Sequence, residues 1–194
     1  MPKRKRKAAL ECHPLTPDRW GDLETLFGPR GACGGCWCMA WRLARKDFER
    51  GKGAGNRAAF RAVVKSGTPP GILGYLNGEP IAWCAVAPRE EYPALDRSRV
   101  LKKVDEQPVW SVSCFVVRKD CRRMGLTVAL LRAAIYFVRD QGGKIVEGYP
   151  IEPIKDEVPA VFAWTGLDSA FRKAGFREVA RRSETRPIMR HIIK

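Results

Sequence analysis

The chain sorts into short apolar runs separated by polar or glycine-rich breaks, and the period of each run predicts its element. Leu10 to Leu15 reads as a short first strand. Thr16 followed by Pro17 marks a helix start, a hydroxyl cap with a proline in the first turn, and Gly28 is its stop. A second helix is expected from about Ala54 to Lys65, with Phe60, Val63 and Val64 on one face and Gly67 ending it. In ILGYLNGEPIAWCAV the pair Asn77-Gly78 stands between two apolar runs. Such a pair predicts a tight hairpin, because both turn residues take positive φ.

After an irregular segment (88–107) comes VWSVSCFVV (109–117), a strand rich in β-branched residues and expected to be buried on both faces. The helix behind it carries Val128, Leu131, Ile135 and Val138 on one face, and Gly142-Gly143 closes it. KIVEGYP (144–150) is a further strand, and LDSAFRKAGF (167–176) a short helix ended at Gly175. Two last strands flank Arg186-Pro187. The order β-α-α-β-β-β-α-β-α-β-β is an α+β arrangement around a mixed sheet.

Composition narrows the class. With 194 residues, 45% hydrophobic and 29% charged, the chain can bury a core as one domain without metal or disulfide staples. We expect a basic, disordered arm over residues 1–8 and a single domain over 9–194. The most apolar run, 128–138, is interrupted by Arg132 and is too short to span a bilayer. No secretory pattern follows the basic start, so a cytoplasmic location is expected. Seven scattered cysteines, an odd number, read as reduced thiols rather than a disulfide framework. The net charge of +15 points to anionic partners.

Chemistry concentrates in VRKDCRRMGLT, residues 117–127. A buried strand runs into a short basic loop, and Gly125 stands where the loop becomes a helix. A helix start offers unpaired N–H groups and the positive end of a dipole, which suits phosphate. Glycine admits close approach of a ligand, and Arg118, Lys119, Arg122 and Arg123 raise the local potential. The residues alone leave two readings, a phosphate-bearing ligand or a plain basic loop.

Arg122-x-x-Gly125-x-Thr127 resembles the (Arg/Gln)-x-x-Gly-x-(Gly/Ala) signature of the GNAT N-acetyltransferases, with the right strand before it and the right helix after it. The resemblance extends from about Cys12 to His191. Several stretches (GCWCM, AWCAVAPREEYP, WSVSCFVV, VEGYP, RRSETRPIM) are similar to a bacterial subfamily of these enzymes. It implies a mixed, mostly antiparallel central sheet flanked by helices, with acetyl-CoA as co-substrate and a primary amine as acceptor. Amides of Arg122, Arg123, Met124, Gly125, Leu126, Thr127 and Val128 would hold the pyrophosphate. Phe115, Val116 and Val117 would pair with pantetheine, one of their N–H groups polarising the thioester carbonyl. Thr127 departs from the usual small residue.

Attack on the thioester needs a neutral amine, whose conjugate acid titrates near 10.4, and the departing thiolate needs a proton. Many relatives place a tyrosine in the last helix as the acid; here that position is Phe171, which has no proton to give. Glu147 and Tyr149, two apart on the strand after the long helix, share one face of the sheet by alternation. Glu147 is the candidate base and Tyr149 the candidate acid; a salt bridge and an edge-packed ring are the plain alternative.

GACGGCWCMAWR (31–42) brings Cys33, Cys36 and Cys38 together with Trp37 and Trp41. A structural zinc site wants four ligands in spaced pairs; here there are three, with Cys12 or His13 as a conceivable fourth, and no metal is expected. A redox pair at Cys33/Cys36 is a further alternative. By the resemblance this link borders the acceptor side, so Cys36, Trp37 and Trp41 are expected in a pocket wall, with core packing of both indoles as the plain alternative; Glu90 and Glu91 could attract a cationic amine or form a solvated charge pair. Two rival classes remain open: a non-catalytic acyl-CoA binder or sensor, and a nucleic-acid-binding protein using the basic tail. A membrane partner is not expected, and the chain is read as a monomer or homodimer.

Overall fold

The computed structural model describes residues 10–154 and 163–194. The expected basic arm lies outside the described residues. Seven strands form one sheet: β1 (Glu11–Pro14), β2 (Gly71–Leu76), β3 (Glu79–Pro88), β4 (Trp110–Val117), β5 (Ile145–Gly148), β6 (Arg177–Arg181) and β7 (Pro187–Ile192), in the spatial order β1-β2-β3-β4-β5-β7-β6. Every neighbouring pair is antiparallel except β4–β5. A parallel pair needs a crossover, and the helix α5 (Leu126–Asp140) provides it. The β2–β3 hairpin turns at Asn77 (φ 53°) and Gly78 (φ 80°), the twisted geometry that lets flanking strands pair closely.

The sheet is sandwiched. On one face Leu130, Leu131, Ala134, Phe137 and Val138 of α5 pack with Phe171 of α6 (Asp168–Lys173) against Ile72, Val86, Val112 and Phe115. On the other, α1 (Trp20–Phe27) and α3 (Ala54–Lys65) lay Trp20, Leu23, Phe27, Phe60 and Val64 over Leu73, Tyr75 and Trp83. Each such side chain, fully buried, contributes about 1.5–3 kcal/mol relative to exposure. The stripe of α5 is rotated from the expected one: Leu130, Ala134 and Phe137 are buried, whereas Val128 and Ile135 are half-buried.

Three elements are additional to the sequence reading. Helix α2 (Arg45–Gly51) buries no residue, so it leaves no apolar stripe to detect. The segment read as irregular contains a turn of 3-10 helix at Arg89–Glu91 and the short helix α4 (Pro93–Asp96). Here Tyr92, Leu95 and Leu101 form a third cluster with Ala87, Tyr149 and Ile188.

Two irregularities of β4 position the site. Ala85 pairs with Cys114 but Val86 with Val112, so Ser113 is an extra residue bulged out of the ladder. Val112 and Phe115 therefore both face α5, while Cys114 and Val116 pack toward α1 and α3. On its other edge β4 is paired with β5 only from Trp110 to Val112, and the strands part beyond Val112 and Gly148. The chain leaves at Ile151 and returns at Leu167, which bridge each other.

Candidate active site

The turn from β4 into α5 is built from backbone. A 3-10 turn at Lys119–Cys121 follows the strand, then Arg122 is extended, Arg123 takes φ 62°, and Gly125 takes φ 77° at the helix N-cap. A non-glycine residue in the left-handed region costs about 1–3 kcal/mol, so Arg123 marks a strained turn. A Cβ at Gly125 would meet no protein atom, which makes the need for glycine conformational rather than steric. Among the described residues the amides of Arg123, Met124 and Gly125 make no backbone hydrogen bond, and those of Leu126 and Thr127 lie in the first helical turn. Successive free amides in such a turn form an anion-binding concavity. Around it Arg118 pairs with Asp120 at 2.9 Å, Arg122 donates to the Val117 carbonyl at 3.2 Å, and Lys119 and Arg123 are exposed.

The open half of β4 supplies a second row of donors. The Arg118 amide donates to the Ile81 carbonyl at 2.8 Å. Alternation then turns the Val116 amide toward β3 and those of Phe115 and Val117 toward the parted edge. The Phe115 side chain meets Phe171 edge-on at 6.2 Å. Phe171 is fully buried, and a Cβ at Gly148 would fall 2.1 Å from its ring, so this residue fills the core beneath β5.

The cysteine stretch lies across the opposite face as a series of turns. Trp37 is only 4% exposed and stacks on Trp20, which makes it part of the core. Cys36 is half-buried, and burial first pushes its thiol up to about 11. Trp41 meets Trp164 at 5.8 Å with the rings tilted by 31°. Glu91 holds the buried Arg42 at 2.7 Å, and that guanidinium lies 4.7 Å above the Tyr92 ring. Glu90 is not brought to this group. It lines a cleft of about 210 Å³ with Trp110, Gly142 and Gly143, at the other end of β4 from the donor turn, about 23 Å of strand away. Among the described residues no three His, Cys, Asp or Glu side chains gather as a metal ligand set.

Glu147 and Tyr149 do meet, 2.7 Å apart, inside a buried network. Arg89 donates to the Glu147 Oε1 at 2.9 Å and to the Tyr149 hydroxyl at 2.7 Å, and Ser111 joins that hydroxyl at 2.7 Å. Arg190 takes Oε2 at 2.7 Å and reaches Asp105 at 2.7 and 3.0 Å. Arg89 also binds Asp96 and the Leu101 carbonyl, each at 2.9 Å. Glu147 is 0% exposed and Tyr149 1%. Burial, then the Glu147 charge, raises the Tyr149 phenol well above its usual range. Both carboxylate oxygens are committed, so a direct role as the amine's base requires breaking an ion pair. Arg89 and Arg190 carry no local signal in the sequence. Arg190 is opposite Glu147 only because β5 and β7 pair in that register.

Beyond Val112 β4 is bonded on one edge only and ends in a turn of free amides with a basic rim, an arrangement with the chemistry to bind a phosphate group. The acetyltransferase (GNAT) family model matches residues 37–149, more than half of the chain, and the chain belongs to that family. No functionally curated protein sequence matches it. Among solved structures, a GNAT acetyltransferase from Listeria monocytogenes covers 95% of each chain at 7% identity with a TM-score of 0.59. Ard1 from Thermoplasma volcanium covers 96% of this chain and 99% of its own at 14% identity and 0.51. AAC(6')-Ib in complex with paromomycin and acetyl-CoA covers 95% and 93% at 17% identity and 0.54. At these identities the likeness is one of fold. Family membership gives acetyl transfer in general as the activity, and no described helix is long and apolar enough to cross a membrane.

Proposed function

We propose that the chain is an acetyl-CoA-dependent N-acetyltransferase that moves an acetyl group to a primary amine by direct attack on the thioester. The observation that carries this reading is the turn of unpaired amides from Arg123 to Thr127, at the far end of the half of β4 that has no second neighbour. The pyrophosphate would lie on the amides between Arg122 and Val128, with the Thr127 hydroxyl in reach of it. Pantetheine would add to the free edge of β4, and the amide of Phe115 or Val117 would meet the developing oxyanion. One such donor is worth about 2.7–4 kcal/mol in turnover. The acceptor would arrive from the side of Cys36, Trp41 and Trp164, within reach of Glu91.

In this proposal Glu147 and Tyr149 are positioning groups. With Arg89 and Arg190 they fix β5 where it parts from β4, and the amine and thiol protons pass through water. As positioning groups, Glu147→Gln and Tyr149→Phe lower turnover without moving its pH profile. A base or acid role would instead displace one limb of that profile.

Calorimetric titration with acetyl-CoA tests the donor site: the wild type binds and Gly125→Glu does not. Absence of wild-type binding refutes the reading. A second reading has its own observation, since Phe171 is buried and the carboxylate network is closed. A non-catalytic acyl-CoA binder fits those two facts, and it predicts binding without CoA release on any member of an amine panel.

A further inference from the structure

Three buried arginines serve the face of the sheet that carries the Glu147 network, and each is held by a carboxylate. Arg42 is held by Glu91 at 2.7 Å, Arg89 by Glu147 and Asp96 at 2.9 Å each, and Arg190 by Glu147 and Asp105 at 2.7 Å each. Arg186 is a fourth, half-buried, and it differs. Among the described residues its guanidinium donates to the Thr165 hydroxyl at 3.2 Å and meets no carboxylate. Glu152, whose amide bonds the Thr185 carbonyl, gives its side chain to Arg181, and Asp168 gives its own to Arg172 at 3.2 Å. Burial without such a partner pulls the Arg186 guanidinium down from its usual range. A charge taken out of water with most of its donors unpaired is costly unless something arrives to meet them.

Strand alternation sets Arg186 beside the acceptor side. Ile188 of β7 packs with Tyr149 and Trp41, and Arg190, two residues on, reaches Glu147. Arg186, two residues before Ile188, projects from the same face. The Thr165 it meets is buried in the 3-10 turn Ala163–Thr165, between Trp164 and Gly166 in the chain. Trp164 lies 5.8 Å from Trp41, and a Cβ at Gly166 would fall 3.0 Å from the Phe115 ring. Arg186 thus stands next to the two indoles and close to the parted edge of β4. A second group there is also unspent. Among the described residues the Trp41 indole N–H is buried and has no hydrogen-bond partner.

We infer that the acceptor is an amino carboxylic acid, held by its carboxylate on Arg186, with its body against Trp41 and Trp164 and its amine turned toward the open edge of β4. This deepens the proposed acetyl transfer and rests on it. A planar guanidinium offers its fork to one carboxylate through two parallel hydrogen bonds, with geometry a lysine cannot supply. A phosphate dianion at the same place would keep a charge unmatched, because Arg42, Arg89 and Arg190 are already committed. The Trp41 N–H is a further donor on that side. In the reaction the amine nitrogen bonds the acetyl carbon as the C–S bond breaks. The proton it sheds reaches the departing sulfur through water, and the products are an N-acetylated amino acid and CoA.

The test compares L-amino acids with their carboxamides on the full-length protein, after calorimetry with acetyl-CoA. CoA release is read with a thiol reagent, and binding of each compound to the CoA-saturated protein by calorimetry. The acids should be preferred by about 10- to 100-fold in kcat/KM, the range of hydrogen bonds to a charged group. In Arg186→Gln that preference falls to near unity, the loss falling on KM for the acids, while acetyl-CoA affinity and the unfolding midpoint stay near wild type. Carboxamides that match the acids on wild type overturn the inference, as does a panel in which no acid binds or reacts. So does an Arg186→Gln protein that keeps the acid preference and unfolds earlier, the mark of an arginine tied to a carboxylate of its own chain. Wild type that binds no acetyl-CoA refutes the donor reading, and this inference with it. The wild-type comparison stands even if Arg186→Gln fails to fold.

Discussion

The two ends of β4 carry comparable numbers of polar groups and use them in opposite ways. At the C-terminal end the chain turns through Arg122 to Gly125 with amides and charges left to whatever arrives. At the N-terminal end Arg89, Ser111, Glu147, Tyr149 and Arg190 are spent on one another, and on Asp96 and Asp105. Exposed amides fixed in place exchange water for the oxygens of a ligand, whereas a satisfied buried group yields nothing further on binding. Under the proposed function the first end is the place for a substrate and the second a frame, even though both would pass as clusters of functional residue types.

The comparison can be broken most forcefully at the frame. Arg89→Ala removes one of the two guanidinium partners of the buried Glu147 carboxylate, and it should cost about 3–5 kcal/mol in chemical denaturation. Acetyl-CoA affinity of the folded fraction should stay near wild type. Gly125→Glu should do the reverse, reducing acetyl-CoA affinity by about 100-fold, or about 2.7 kcal/mol, by calorimetry. Its unfolding midpoint should move little beside that of Arg89→Ala. If the two variants exchange phenotypes, the assignment of ligand site and frame is wrong.

Two smaller effects sharpen the same contrast. The folded phenol of Tyr149 keeps its proton where that of the unfolded chain, near its ordinary pKa of 10.0, loses it. Its contribution to stability is whole below about pH 10 and is lost as pH climbs toward the raised folded value. Denaturation curves of wild type should show that alkaline decline, and Tyr149→Phe should flatten it. Arg123→Ala should weaken acetyl-CoA binding only a few-fold, with the difference vanishing at high salt because the side chain is exposed.

What the sequence discloses follows the same division. The Asn77-Gly78 hairpin, helix α3 from Ala54 to Lys65, and the strand-loop-helix turn at Gly125 are written in adjacent residues, and all three are where local pattern puts them. Alternation also placed Glu147 and Tyr149 side by side. Their partners were not legible. Arg89 lies 58 residues before Glu147 and Arg190 lies 43 after it, joined only by strand register and the packing of the turn after β3. Trp164 reaches Trp41 by the same long-range route. Whether Trp37 is wall or core was undecidable for a related reason, since an indole in a loop gives no sign of whether it faces Trp20 or solvent.

The bulge at Ser113 can be restated as a matter of phase. A strand alternates sides with each residue, and Ser113 is a beat that the ladder with β3 does not count. Removing it leaves Val112, Cys114, Phe115 and Val116 facing as they do, and takes away only the local bend. Removing one residue from Phe115 to Val117 instead gives up the bulge to keep the ladder beyond the gap, and the side chains between Ser113 and the deletion are delivered to the other chamber. The spare residue therefore absorbs one deletion anywhere along this strand, at a cost in misdirected side chains that grows with distance from the bulge.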